Sequence, residues 1–435
     1  MPARTTARSS RREAALRPAI GLLGLLWLGV GLVPAMGTFA RPYADLRWLF
    51  VIAGLLGVVA LMANAERKGD ARFSLGGLLC DPAALGAVLI GAGLVVSSLA
   101  SPNPMLGLRI AARECFLVGA AWCLSRWSPN RREQVWLVGC LVGAVALQAG
   151  LGLVQAWAGP AARSAIHGTM EQSEALADFV GCGAAAAAIA ALGSSRNRIA
   201  FWACLVVAVV GAAVIFVSGG RGGALAGGAA LAVALVARRG SFKAAWLAWG
   251  AGILVVFAGL YLALPGHRAG TLFHRLGEIA NPESVPTRHR IGLVTISSHM
   301  VLDRPFAGAG PGRFAAAFSA MQGRLAETEK GTGFWSFNEM TSRLTPGEAH
   351  CDPLQWWAEY GLLACLGLLL MVTSAAIGGA SGENEPWRAA LWTAFIAMAI
   401  VMWVSYPLHD PMRALFFWSL LGFSGSRVST DNQFD

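Results

Sequence analysis

The sequence is poor in charge. Only 13% of its 435 residues are Asp, Glu, Lys or Arg, whereas 56% are hydrophobic, and soluble domains carry roughly twice that charged fraction. A soluble globular protein is therefore excluded. The apolar residues form uninterrupted runs of about 20, which is long enough to cross the hydrocarbon core as a helix that satisfies its own backbone amides. The sequence predicts a polytopic membrane protein.

The candidate spans differ in clarity. The clearest apolar runs are 18–40, 82–100, 134–158, 199–220, 244–264, 360–382 and 389–406. Weaker runs, which are shorter or carry a charge near one end, are 48–65, 106–125, 174–195, 222–237 and 411–426. Together they predict an all-α fold with about 12 transmembrane helices and one long helical outer loop.

Several chemical signatures are also missing. The sequence has no CxxC spacing, and its outer loops have no HExxH or DxD pair. All cysteines but Cys351 lie in or beside apolar spans, where Cys packs as a small hydrophobe. A disulfide framework and a metal site are therefore not expected. The pairs His350 with Asp352 and His409 with Asp410 are the remaining candidates for metal ligands.

The basic residues that give the net charge of +10 cluster in alternate loops. The short outer loops hold only Arg41, Arg47, Arg163, Arg221 and Arg413. This is the positive-inside pattern, which predicts that both termini lie in the cytoplasm and that nucleic acid is not a partner. Because no small-residue cleavage site follows a short apolar core, the first span is expected to be a retained anchor.

The alternation of sides places one long segment outside the membrane. It contains the stretches RIGLVTISSHMVLD and GRFAAAFSAMQGRLAET, in which apolar residues recur every three or four positions, as in amphipathic helices. The predicted organisation is a basic cytoplasmic N-terminal arm (1–17), a transmembrane bundle of about nine helices (18–264), a long periplasmic loop with amphipathic helices (265–350), C-terminal transmembrane helices (351–426) and a cytoplasmic tail (427–435).

The first candidate site is VSGGRGGALAGG, residues 217–228. Arg221 ends one span and begins the next, so the backbone must reverse tightly between glycines. Glycines allow backbone N–H groups to approach an anion closely, and arginine suits a phosphate. The alternative is that Gly219, Gly223 and Gly227 form a packing stripe while Arg221 snorkels to the interface.

The second candidate is RHRIGLVTISSHMVLDRPFAGAGPGRF, residues 288–314. Arg288 and Arg290 are two positions apart, so they point to different sides of a helix, and one is expected to bind a ligand while the other faces solvent or headgroups. The glycine-rich turn that follows is only loosely similar to a phosphate loop, since it lacks the Walker lysine and follows no strand. No nucleotide cofactor is expected.

The third candidate is GEAHCDPLQWWAEYG, residues 347–361, which leads into a span. His350 is expected at the outer membrane surface, where an imidazole can accept a proton near neutral pH. Asp352 is a candidate to orient His350 or to position an acceptor hydroxyl, or else simply to cap the helix. Glu359 is expected to face the bundle interior, where a carboxylate needs a partner or water. An isolated histidine is also often structural.

A fourth candidate is the pair Arg109 and Arg113, which lie one helical turn apart near the outer end of a span. Ionisable residues at membrane depth are commonly functional, although snorkelling to the interface is an equally good interpretation.

In combination, these stretches resemble the O-antigen ligase and polymerase superfamily of bacterial inner-membrane glycosyltransferases. The resemblance covers roughly residues 165–380. Its parts, in order, are the SGGRGG reversal, the helix from Arg290 that ends in a D-x-P-x-x-G-x-G-x-G-x-F turn, and AHCDPLQWWAEYGL at the entry to the next span. Two positions depart from the family pattern: Cys351 stands where Asn is usual, and Val294 where Trp is common.

The resemblance implies a metal-independent, inverting glycosyltransferase without cofactor in the bacterial inner membrane, with its active site facing the periplasm. It would transfer a glycan from undecaprenyl diphosphate to the hydroxyl of an acceptor glycan, lipid A-core or glycoprotein. Arg221 and Arg290 would bind the diphosphate, and His350 would activate or hold the acceptor hydroxyl. The competing hypothesis is a non-catalytic transporter or flippase of lipid-linked glycans.

Overall fold

The computed structural model describes residues 17–29, 48–49, 51–60, 81–127, 129–157, 166–170, 172–194, 197–237, 285–328, 347–380 and 385–425. All regular secondary structure within these ranges is helical, as the sequence predicts. The predicted span 244–264 and both chain ends lie outside the described residues.

The helices follow the predicted apolar runs closely. They are α1 (Arg17–Gly29), α2 (Val51–Ala60), α3 (Pro82–Ala100), α4 (Pro104–Ser125), α5 (Arg131–Trp157), α6 (Ser173–Gly193), α7 (Arg198–Ser218), α8 (Arg221–Ala237), α9 (Val285–Asp303), α10 (Phe314–Thr328), α11 (Asp352–Ala380), α12 (Pro386–Val401) and, after a 3-10 turn at Pro407–His409, α13 (Pro411–Gly425).

Five of the described helices, α3, α5, α6, α7 and α11, are long and apolar enough to cross a membrane. Helices α1, α2, α8 and α12 are apolar but shorter. Large apolar side chains such as Ile199 and Ile377 point outward and are 84% and 66% exposed, which suits a lipid-facing surface rather than water. The chain is thus a multi-pass membrane protein, while about 12 spans stays a prediction.

Helix α6 lies at the centre of the bundle and packs against α5, α7, α8 and α12. Its contact with α8 is made by backbone. A Cβ added at Gly223 would lie 1.9 Å from the carbonyl oxygen of Ala177, and one at Gly227 would lie 2.7 Å from that of Gly181. Close packing through small residues is common between membrane helices. The predicted packing stripe is therefore confirmed for these two glycines.

The amphipathic stretches of the outer segment form α9 and α10, as predicted. Their apolar faces pack on each other and on the first turns of α11 in a separate small core, which includes Leu293, Ile296, Phe314, Phe318 and Ala358. Helix α9 is thereby fixed against α11, and the arginines near its start are brought toward the His350 segment.

Helix α11 is broken at Gly361, whose φ of 81° is left-handed. The turn after α9 approaches this break so closely that a Cβ on Gly361 would lie 1.9 Å from the carbonyl oxygen of Phe306. Across the break, the N–H of Leu362 donates to the carbonyl of Pro305 at 2.9 Å. Only glycine combines this dihedral angle with this contact.

The glycine-rich turn uses its own amides to complete this junction. The N–H groups of Ala309 and Gly310 donate to the carbonyls of Ala358 and Glu359, at 2.8 and 3.0 Å. Because these two N–H groups bond to the broken helix, they are not directed at an anion. The glycine-rich turn, although loosely similar to a phosphate loop, therefore has a structural role: it docks α9 and α10 on α11.

Candidate functional site

A cluster of charged side chains lies where the first turns of α6, α8, α9, α11 and α13 come together. Its centre is Arg413 at the start of α13, which is 1% exposed. Its Nη1 lies 3.2 Å from Oδ2 of Asp178 and 3.2 Å from the hydroxyl of Ser405, its Nε lies 3.6 Å from Asp410, and its guanidinium lies over the Tyr406 ring. A buried arginine is tolerated only with such partners.

Sequence reasoning missed Asp178 and treated Arg413 as an ordinary outer-loop residue. A signal was present, because Asp178 is a carboxylate inside the predicted span 174–195, one turn after Glu174 at its start, and carboxylates within spans usually have a partner. The identity of that partner is not readable from the sequence, since Arg413 lies 235 residues away.

Arg221 begins α8 beside this ion pair. Helix α7 ends at Ser218, Gly219 adopts a left-handed φ of 67°, and α8 starts two residues later, so the predicted tight reversal is confirmed. A Cβ added at Gly222 would lie 2.6 Å from Oδ1 of Asp178. Arg221 itself is only 7% exposed. It therefore lies within the protein next to the cluster, and the snorkelling interpretation does not hold.

Arg290 joins the cluster from α9. Its charge acts on Asp178 and on His350, and it makes no hydrogen bond or ion pair within the described part of the chain. Arg288, two positions earlier, is exposed. The predicted division between the two arginines thus agrees with their exposure. Arg290 is therefore a cation of this site that is available to an anionic ligand.

His350 stands at the edge of the cluster. It is the sole non-glycine residue with a positive φ, 54°, in the described ranges, and such strain is common at functional sites. Its ring meets the Tyr406 ring edge-on at 4.9 Å, and its nitrogens form no hydrogen bond with any described residue. Two free ring nitrogens leave His350 able to bind a hydroxyl group.

The protonation state of His350 follows from its surroundings. Burial lowers the pKa of His350 to about 4; the nearby Glu174 opposes this effect, whereas Arg290 and Arg413 add to it. The imidazole is therefore neutral at physiological pH, which is the form that accepts a proton.

Asp352 corrects two expectations. It is fully buried, but its carboxylate neither caps α11 nor orients His350. Instead, Oδ1 lies 3.0 Å from Nδ1 of His409, and Oδ2 accepts the N–H of Leu408 at 3.0 Å. The reason is tertiary: the segment between α12 and α13 folds over the start of α11, which the local sequence does not reveal.

Cys351, where the resemblance predicts an amide, occupies the N-cap of α11. Its carbonyl accepts the N–H of Gln355 at 3.0 Å, and the N–H of Leu354 lies against its sulfur. Burial raises the pKa of the Cys351 thiol, so the sulfur is neutral and a weak acceptor. Asp352 does not replace the missing amide, because its oxygens are committed elsewhere.

Replacing Cys351 with asparagine is therefore expected to stabilise the protein. Asparagine is among the best N-cap residues, and the gain should be about 0.5–1 kcal/mol in the free energy of unfolding. Thermal unfolding of the purified protein in detergent measures it, with Cys351→Ala as the control that removes the acceptor. A midpoint for the asparagine variant at or below that of wild type would contradict the prediction.

Glu359 has the partner that a buried carboxylate needs. Its Oε1 accepts the N–H of Phe314 at 2.7 Å, and a carboxylate at the N-terminus of α10 is favourable. The expectation that it faces the interior is confirmed, and its role here is structural.

The two arginines of α4, Arg109 and Arg113, have different surroundings. Arg113 bonds to Glu114 at 2.6 Å and lies over the Trp48 ring, whereas Arg109 is exposed. The structure does not bring either guanidinium into contact with His350, Arg290 or Arg221. Both arginines therefore lie outside the cluster.

The candidate metal pairs are arranged differently from the predicted ones. His409 pairs with Asp352, and Asp410 pairs with Arg413. Among the described residues, no group of three or more His, Cys, Asp or Glu side chains is arranged to hold a metal ion.

No protein-family model matches the chain, and no curated protein matches it either.

Proposed function

We propose that the protein is a membrane glycosyltransferase of the O-antigen ligase and polymerase type, which transfers an oligo- or polysaccharide from undecaprenyl diphosphate to an acceptor hydroxyl. The observation that carries the proposal is the juxtaposition of the Arg290 guanidinium and the neutral His350 imidazole. Within the described residues, Arg290 has no ion-pair partner and the nitrogens of His350 form no hydrogen bond. One group suits a diphosphate and the other suits an alcohol.

The diphosphate would bind at the arginines. Arg290 supplies an uncommitted planar cation, and Arg221 at the start of α8 adds a second charge beside the positive end of a helix. Arg413 contributes less, because Asp178 and Asp410 already neutralise it. The cluster thus has two roles: Arg413 and its carboxylates fix the helices, and the other arginines bind ligand.

In the proposed reaction, the acceptor oxygen attacks the anomeric carbon while its proton passes to a nitrogen of His350. The new glycosidic C–O bond forms as the bond from the anomeric carbon to the diphosphate oxygen breaks. The bonding electrons leave with the diphosphate, where Arg290 and Arg221 stabilise the negative charge. A single in-line displacement inverts the anomeric configuration, and its chemistry requires no metal.

The proposal includes the bacterial inner membrane as location, cytoplasmic termini and a site that faces the periplasm. The positive-inside pattern and the three family motifs support it. The arrangement is also compatible with the competing hypothesis, a transporter or flippase of lipid-linked glycans. Such a protein would bind the same diphosphate without transferring the glycan.

The test is transfer by the full chain in proteoliposomes that contain an undecaprenyl diphosphate-linked oligosaccharide. Candidate acceptors are lipid A-core, the lipid-linked donor itself and a glycan-accepting protein. The expected result is a glycosylated acceptor with inverted linkage, formed equally well in EDTA. Absence of product with every acceptor would overturn the proposed reaction. Activity that is lost in EDTA and restored by a divalent ion would overturn its metal-free mechanism.

A further inference from the structure

A second polar network lies directly beside His350 and plays no part in the proposed chemistry. It connects the segment 347–352, the first turns of α11 and the 3-10 turn before α13. Its members are Glu348, Asp352, Gln355, Glu359 and His409.

The orientation of the Gln355 amide follows from the backbone. The N–H of Ala349 donates to Oε1 of Gln355 at 2.7 Å, and a backbone N–H is always a donor. The amide nitrogen Nε2 is therefore directed away from Ala349. It donates to Oε2 of Glu348 and lies 3.1 Å from Nε2 of His409.

The hydrogen bonds also define the tautomer of His409. Because Nε2 of Gln355 can only donate, Nε2 of His409 must accept. The imidazole is then neutral, with its proton on Nδ1, and this proton is donated to Oδ1 of Asp352 at 3.0 Å. An unbroken chain of hydrogen bonds runs from Asp352 through His409 and Gln355 to the backbone of Ala349.

This chain ends next to the strained residue. Ala349 is 1% exposed, and the following residue, His350, has its left-handed φ of 54°. A histidine backbone keeps this conformation only where the surrounding structure imposes it. The Ala349 amide is one of the points at which the structure does so.

We propose that neutral His409 is a positioning residue, which acts through Gln355 and the Ala349 amide to hold His350 in the conformation used for transfer. This inference rests on the proposed function. His409 does not touch the substrate in this proposal, and its effect is on the geometry of His350, where a displacement of about 1 Å can cost roughly 100-fold in rate.

The same geometry makes the positioning sensitive to pH. A second proton on His409 would occupy Nε2 and face the Nε2 donor of Gln355. The amide cannot turn to offer its oxygen without leaving the N–H of Ala349 without an acceptor. Protonation of His409 therefore breaks the chain at Gln355 and releases the backbone before His350.

Several charged groups favour that proton. Glu348 and Glu359 each have an oxygen 3.9 Å from Nε2 of His409, and Asp352 lies at Nδ1. From the neighbouring helices, Arg413 interacts electrostatically with Asp352, and Arg113 does so with Glu359. Asp410 adjoins His409 in the chain.

Burial alone would lower the pKa of His409, but Glu348 and Asp352 outweigh burial and raise it well above its ordinary value. As the pH falls, His409 is therefore protonated long before His350, whose pKa is about 4. Neutral His409, and with it the unbroken chain, is therefore the form present above this raised pKa. The transfer rate is expected to fall as the pH drops through the raised pKa of His409, before the pKa of His350 is reached.

The experiment compares His409→Asn with His409→Gln in the proteoliposome assay across pH. Asparagine keeps a donor for Asp352 but does not reach Gln355. Glutamine places an acceptor near the position of Nε2 and takes up no proton. We expect His409→Asn to transfer at least about tenfold more slowly. At a pH above the raised pKa of His409, we expect His409→Gln to transfer within about threefold of wild type. Below that pKa it should transfer faster than wild type, because glutamine takes up no proton, and only the limb of His350 should remain.

Thermal unfolding of both variants in detergent separates positioning from folding. Three results would each overturn the inference. They are transfer by His409→Asn at the wild-type rate, an unchanged acid limb in His409→Gln, and equal losses of activity in both variants that follow their unfolding midpoints. Substitution of His350 distinguishes the two proposals. If His350→Asn abolishes transfer while the His409 variants behave as wild type, only this inference fails; if His350→Asn transfers normally, the proposed function of the site fails.

Discussion

Replacing Arg290 with alanine is expected to slow glycan transfer by about 100- to 1,000-fold. The guanidinium has no ion-pair partner among the described residues, so its removal leaves no buried charge unpaired, and the fold should survive. In the proposed reaction, what is lost is a cation at the departing diphosphate, where negative charge develops. The measurement is the initial rate of acceptor glycosylation in proteoliposomes at saturating donor.

The matched control is Arg304→Ala. Arg304 is an exposed arginine just after the same helix, 3.9 Å from Asp303, and its loss should leave the rate unchanged. Arg290→Lys should recover only part of the activity, because an ammonium lacks the planar fork that binds phosphate oxygens. If Arg290→Ala and Arg304→Ala transfer equally fast, Arg290 does not bind the leaving group.

Removing the imidazole of His350 is expected to slow transfer by about 100- to 10,000-fold, the usual range for a general base. Asparagine is the substitution to use, because it tolerates the left-handed backbone of this position better than alanine does. The loss should appear in the maximal rate rather than in the apparent affinity for donor, since His350 contacts the acceptor in the proposed reaction.

His299→Asn serves as the control, because His299 is an exposed histidine on α9. The pH profile adds a second criterion. Since burial holds the pKa of His350 at about 4, the fall in rate around pH 4 that remains in His409→Gln should be absent when His350→Asn is added to that variant. A wild-type rate for His350→Asn would exclude His350 as base and as binding group.

Local and periodic features of this protein were predictable from its sequence. The apolar runs define most of the observed helices to within a few residues, since a membrane helix must be apolar along its length. The tight reversal at Arg221 followed from the absence of room for a loop, and the amphipathic pattern predicted α9 and α10. The difference in exposure between Arg288 and Arg290 followed from helical spacing alone.

What could not be predicted depends on contacts between distant segments. The sequence offers Asp352 as a cap of the helix beside it, as a partner of His350 or as a group that positions an acceptor hydroxyl. In the structure it binds His409 in a segment 57 residues later. The Asp178 and Arg413 pair is hidden for the same reason. The glycine-rich turn resembled a ligand loop because glycine suits both an anion and a close backbone contact. Which of the two applies is decided by the break at Gly361.

The central claim is that the protein joins a glycan to an acceptor rather than moving it across the bilayer. The most direct measurement follows both events in one proteoliposome preparation, with donor glycan labelled on one leaflet and acceptor supplied on that same side. We predict acceptor-dependent release of undecaprenyl diphosphate, with label on the acceptor and none newly protected on the opposite leaflet. Label that crosses the bilayer while still attached to its lipid, with no glycosylated acceptor, would contradict it.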